Sequence, residues 1–149
     1  MNRISGFGIS AAIPDGWEAR IHRHSDGEPT LHAATFALPP EDGEFGTRAT
    51  RHMPSEALFL SLTEYRTGDG LNTRHGLFAH PPPTSLDRSN FHTRALLQAR
   101  PGQRGVQRFF SVSGRAFCLY VVVSGSTHMT HHLAAASHLL RGLEISELT

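Results

Sequence analysis

Residues 106–125 read VQRFFSVSGRAFCLYVVVSG, and this stretch decides the fold. Val106 to Val112 and Arg115 to Val123 are rich in β-branched and aromatic residues, and Ser113-Gly114 between them is a two-residue turn signal. The second run, RAFCLYVVV, is apolar at successive positions, so it is expected to be a central strand covered on both faces. Upstream, Phe91 to Arg100 alternates and ends at Pro101-Gly102-Gln103-Arg104-Gly105, which predicts a first strand and makes a three-strand meander. Downstream, Met129, Leu133, Ala136, Leu140 and Leu143 recur at spacings of four and three. They predict an amphipathic helix over about 127–141 that packs on the sheet, with Ser126 or Thr127 as its cap.

The first half is expected to add strands. Phe7, Ile9, Ala11 and Ile13 alternate with smaller residues, Pro14-Asp15-Gly16 turns the chain, and Trp17 to Arg23 resumes, which reads as a hairpin. Thr30 to Leu38 is a third strand stopped by Pro39-Pro40, and residues 41–50, EDGEFGTRAT, read as an acidic loop. In PSEALFLSLTEYR, Leu58, Leu60 and Leu62 fit a strand whereas Leu58, Leu62 and Tyr65 fit a helix. The preferred reading is a helical turn over 54–57 followed by a strand. Residues 67–90 are rich in Gly and Pro, with Pro81-Pro82-Pro83 stiff and extended, and so long a connection is often functional.

A chain of 149 residues has the size of a single domain over 1–149, able to bury roughly two-thirds of its unfolded surface. Apolar residues are 38% and charged residues 18%, with nine Phe and one Trp, enough for one core. Cys118 is the lone cysteine, so an intrachain disulfide is excluded. With neither a signal-peptide pattern nor an apolar run of about 18 residues, the expectation is a cytoplasmic protein without a membrane span.

All 14 basic residues are Arg, which excludes Schiff-base chemistry and the lysine of a phosphate-binding P-loop. The net charge of +1 hides an asymmetry, because residues 1–87 carry seven Arg against eleven acids. Residues 88–143 carry seven Arg, at 88, 94, 100, 104, 108, 115 and 141, and no acid at all. In the expected strand His92, Arg94 and Arg100 share a face, Arg104 lies in the turn after it, and Arg108 opens the next strand. Clustered guanidinium groups suit carboxylates and phosphates. The alternative is that they keep an exposed sheet face soluble or pair with the acids of 41–44.

Catalytic signatures are absent: there is no H-E-x-x-H, G-x-S-x-G, G-x-G-x-x-G or paired-cysteine motif. Cys118, between Phe117 and Leu119, reads as a buried, inert thiol. Among the eleven histidines, His128 and His132 have i, i+4 spacing and His22 and His24 share a strand face, yet no acid or Cys nearby in sequence completes a metal site. His131 and His138 are about 10.5 Å apart along the helix. The histidines are therefore read as solvent-facing, or as a pH-dependent charge beside the basic half, with no metal and no cofactor.

The strand running into Ile13-Pro14-Asp15-Gly16-Trp17, the late Gly114-Arg115-Ala116-Phe117 hairpin and a final helix ending Leu139-Leu140-Arg141-Gly142-Leu143-Glu144-Ile145 resemble the PsbP-like superfamily, which includes Ran-binding Mog-type proteins. That resemblance implies an α+β fold, an antiparallel sheet of about six strands flanked by helices on both faces. It also implies adaptor or assembly roles without a shared catalytic set. The functional expectation is a non-catalytic protein-binding adaptor whose Arg94, Arg100, Arg104, Arg108 and His92 meet an acidic protein surface. Nucleic acid ranks below a protein partner, since the isoelectric point is near 8.1 rather than above about 9. The competing expectation is an enzyme or ligand pocket under the 67–90 loop, with His75, His80 or His92 as acid–base groups.

Overall fold

The computed structural model describes residues 2–67 and 73–147. The fold is α+β with antiparallel sheets. Five strands, β3 (Glu18–His22), β4 (Thr30–Ala34), β5 (Leu58–Tyr65), β6 (Gln103–Val112) and β7 (Arg115–Ser124), form one sheet in the order β3-β4-β5-β7-β6. β1 (Asn2–Gly6), β2 (Ile9–Ile13) and β8 (Glu144–Ile145) form a second sheet, β1-β2-β8. In place of one sheet of about six strands there are thus two, of five and three.

β7 is central, as its doubly apolar sequence requires: it pairs with β5 on one side and β6 on the other, and nine of its ten residues are buried. Alternation then sorts the side chains. Leu31, Leu58, Leu60, Leu62, Val106, Phe110, Phe117, Leu119, Val121 and Val123 point to one face, where they meet Ile9, Ala11 and Ile13 of β2. They also meet Met129, Leu133, Ala136, Leu139 and Leu140 of α2 (Met129–Arg141) there. The other face carries Ala34, Phe59 and a polar centre, covered by residues 38–53 with the five-residue α1 (Thr47–Arg51). A full helical layer is present on one face only.

Several expectations are corrected. The β2 strand does not pair with β3: it pairs with β1 through the Phe7-Gly8 turn, where both residues have positive φ (54° and 77°). This is the twist a two-residue hairpin needs, and it outcompetes Pro14-Asp15-Gly16, which only carries the chain to the other sheet. Ser113-Gly114 forms the second such turn, as expected (φ 54° and 73°). Residues 54–57 do not make a helical turn, while 47–51, read as loop, are helical because the Asp42 carboxylate accepts the Arg48 and Ala49 N–H groups. α2 begins at Met129, and its start is held from outside the helix. The His128 N–H donates to Glu56 Oε2, so neither Ser126 nor Thr127 caps with its side chain.

The main correction concerns 91–100, which is not a strand. Apart from a single His92–Gly105 bridge, it forms a 3₁₀ turn at Thr93–Ala95 and irregular chain. Its apolar residues are divided rather than aligned: Phe91 enters the α2-side core, whereas Leu96 lies against Gly105 and the Leu97 N–H donates to the Tyr120 hydroxyl on the opposite face. The segment crosses the edge of β6 instead of extending the sheet. Among the described residues no helix is long and apolar enough to cross a membrane.

Candidate basic edge of the sheet

β6 is the outer strand, and residues 76–97 wrap its margin. The 3₁₀ turn Gly76–Phe78 places Phe78 against Phe109 and Tyr65. The chain then crosses the edge where the Ser111 N–H donates to His80 O. It continues on the α2 side, where the Leu86 N–H donates to Ser137 Oγ. It crosses back at His92, which exchanges two backbone hydrogen bonds with Gly105. In an antiparallel ladder alternate residues point their backbone groups outward. Positions 105 and 111 are therefore occupied, and positions 107 and 109 lie between them. An open groove of about 460 Å³ sits at this gap, walled by Leu77, His80, Pro81–Pro83 and Phe109, with Arg108 on its rim.

The expected arginines do not form one face. Arg104 and Arg108 share the α2 side of β6; Arg104 reaches Met129 Sδ, and Arg108 is exposed, its Nη1 bonded only to Gln107 O. Arg94 is exposed on a segment whose Ala95 carbonyl binds Gln107 Nε2 on the far side, and Arg100 Nη2 donates to Gln98 Oε1 in the approach to β6. His92 is exposed at the edge bridge. The structure supplies two cations that were not singled out. Arg88 binds Thr130 Oγ1 and Ser126 O at the start of α2, and Arg141 donates to Thr84 O on the wall of the groove. The acid-free run of sequence was the signal for both.

Among the described residues none of Arg88, Arg94, Arg100, Arg104, Arg108 and Arg141 is ion-paired; carboxylates meet Arg3, Arg66 and Arg115 instead. The acids of 41–44 do not neutralise the basic half. Arg115, the seventh of the series, is removed from it. It lies buried with both Glu64 oxygens at 2.9 and 2.6 Å, and it also donates to Phe7 O and Ser146 O.

The histidines divide into distinct settings. His75 is exposed, and of His75, His80 and His92 only His80 lines the groove. His128 and His132 have ring centroids 6.1 Å apart, and the Glu56 carbonyl accepts from His132 Nε2. On the polar face, His32 is fully buried and touches His22, 4.9 Å between centroids, and His22 touches His24 at 5.2 Å. The Glu44 carbonyl accepts from His32 Nε2 (2.9 Å), Ser61 Oγ (2.6 Å) and Thr63 Oγ1 (3.1 Å), pinning the acidic loop to the sheet. A carbonyl only accepts, so His32 Nε2 carries the proton and Nδ1 is a buried lone pair without a partner. Burial pushes the His32 pKa down to about 4, outweighing the bond to Glu44, and lowers that of His22 in the same sense. The sequence marks His22 and His24 but not His32, because its partner is a backbone carbonyl.

Among the described residues no three His, Cys, Asp or Glu side chains are grouped to hold a metal ion. Burial pushes the Cys118 thiol up to about 12, the opposite of what a nucleophile needs. The arrangement offers exposed guanidinium groups at Arg88, Arg94, Arg108 and Arg141 and half-buried ones at Arg100 and Arg104, beside a stretch of sheet edge with no neighbouring strand among the described residues. No protein-family model matches the chain, and no curated protein or solved structure is significantly similar to it.

Proposed function

We propose that the protein is a non-catalytic adaptor or assembly factor that engages an acidic protein surface along the margin of β6. The observation carrying this reading is the set of Arg88, Arg94, Arg100, Arg104, Arg108 and Arg141, none paired with a carboxylate among the described residues. Exposed ion pairs contribute only about 0.2–1 kcal/mol each, so several must act together, and charge of this kind sets encounter rate and partner choice more than raw affinity. The docking margin is centred on Arg104, Arg108 and Arg141, with Arg88 toward the start of α2. Arg94 and Arg100 extend it around the edge toward the opposite side. The PsbP-like resemblance belongs to the same proposal, since adaptor roles are what it implies. His80 stands in an open, proline-walled groove without a carboxylate or Cys on its lining among the described residues, which favours binding over acid–base chemistry.

The test is photo-crosslinking from position 85 in the native host, comparing the wild-type chain with an R104E/R108E/R141E variant. An acidic protein should be captured by the first and lost with the second. Equal capture by both, or capture of nucleic acid alone, would overturn the proposal.

A further inference from the structure

We infer that the gap in the β6 edge is a strand-addition site. It takes a short extended peptide in which an acidic residue is flanked on each side by an apolar one, and the acidic residue lies opposite Arg108. The inference rests on the reading of an acidic partner and specifies how that partner is held.

This stretch of edge has no neighbouring strand among the described residues, for a physical reason. The chain that runs beside it is Pro81-Pro82-Pro83, and proline has no N–H to give to a ladder. Among the described residues, backbone bonds to the outer side of β6 are made at His80 and His92 only, leaving the N–H of Gln107 and the N–H and C=O of Phe109 between two closed ends, with Gln107 O taken by Arg108 Nη1. An unpaired edge is a template for another strand. The gap is narrow: residues 105 to 111 span about 20 Å at 3.3–3.4 Å per residue, so a peptide can pair at two rungs before its ends turn outward.

Antiparallel geometry assigns the peptide's residues. Those opposite Gln107 and Phe109 each exchange two backbone hydrogen bonds, and their side chains fall on the Phe109 side, where Leu77 is exposed and asks for apolar partners. The residue between them faces Arg108 as a non-hydrogen-bonded pair. That is the closer kind, with Cα atoms about 4.5 Å apart. Arg108 is exposed and spends its guanidinium on its neighbour's carbonyl, Gln107 O, a bond that an incoming peptide N–H and carboxylate would replace. Arg141, bonded to Thr84 O on the same groove wall, adds charge of the same sign.

The probe is a fluorescein-labelled, end-blocked peptide Thr-Val-Glu-Val-Thr titrated with the full chain and read by anisotropy. Replacing its Glu by Gln, or Arg108→Glu in the protein, should each weaken binding by about tenfold. A Thr-Val-Lys-Val-Thr peptide should recover affinity for the Arg108→Glu protein. Methylating the backbone nitrogen of either Val should also cost about tenfold or more. This last arm separates strand addition from simple charge capture. If the N-methylated peptides bind as well as the parent, the strand-addition site is refuted while the acidic-partner reading survives. Absence of wild-type binding at millimolar protein, or indifference to Arg108→Glu, also refutes it. Should Arg108→Glu fail to fold by circular dichroism, the peptide variants against wild-type protein still decide.

Discussion

Acidification should loosen this fold through His32. In the unfolded chain this imidazole has its ordinary pKa of 6.5, and in the fold burial holds it at about 4. The folded state therefore binds fewer protons, and the stability due to this group is present above pH 6.5 and is lost as the pH falls toward 4. From those two values the loss is about 2 kcal/mol at pH 5 and about 3 kcal/mol at pH 4, relative to neutral pH. His22 is shifted in the same direction and adds to it. The comparison that isolates His32 is urea denaturation of the wild type and His32→Gln at pH 7.5, 6, 5 and 4. The Gln amide can still donate to Glu44 O but does not titrate. The difference between the two proteins should shrink or reverse by about 3 kcal/mol over that range. A difference independent of pH would refute the reasoning, because it would mean that His32 is not held neutral by burial.

Three further perturbations address the scaffold. Glu64→Gln leaves the buried Arg115 guanidinium without a counter-charge and should cost about 3–5 kcal/mol in chemical denaturation. The double replacement Glu64→Leu/Arg115→Met should cost distinctly less than that single change. Gly46→Ala drives a methyl group into the Phe59 ring at a backbone φ of 70°, and the combined strain and overpacking should cost about 3 kcal/mol, read as a lower melting temperature. Cys118, its thiol pushed up to about 12, should resist a disulfide reagent at pH 8 in the folded protein and react within minutes in denaturant.

The sequence made some elements legible because one period ruled them. β7 matches its reading, since a run apolar at successive positions suits a central strand, and the α2 stripe matches at Met129, Leu133, Ala136 and Leu140, whereas Leu143 falls beyond the end of the helix and the buried Leu139 widens the face. The Ser113-Gly114 turn was read for the same local reason. Residues 91–100 failed because alternation reports that neighbouring residues face opposite ways, and a chain crossing a sheet edge does this as well as a strand does. Phe91 and Leu96 lie on opposite faces of one sheet. The N-terminal hairpin failed because Phe7-Gly8 places a bulky residue at positive φ, a choice that propensity argues against. At the candidate site, charge was legible and grouping was not. The acid-free run marks where the arginines without a carboxylate partner among the described residues lie, but which of them share a side depends on register with β7 and on where the chain wraps β6.

That wrapping also supports the proposed docking gap. A ten-residue outer strand rich in aromatic and β-branched residues invites uncontrolled pairing with other chains, and proteins suppress this by covering such edges, twisting them away or charging them. Here the cover is applied at His80 and again at His92, yet the prolines between them withhold it from Gln107 and Phe109. The open rungs coincide with Arg108, an exposed cation that in the proposed site would disfavour basic chains and favour acidic ones. An edge closed at both ends and charged in the middle would admit a short acidic segment in preference to a long or basic one, which is what the proposed docking site requires and a merely shielded edge does not.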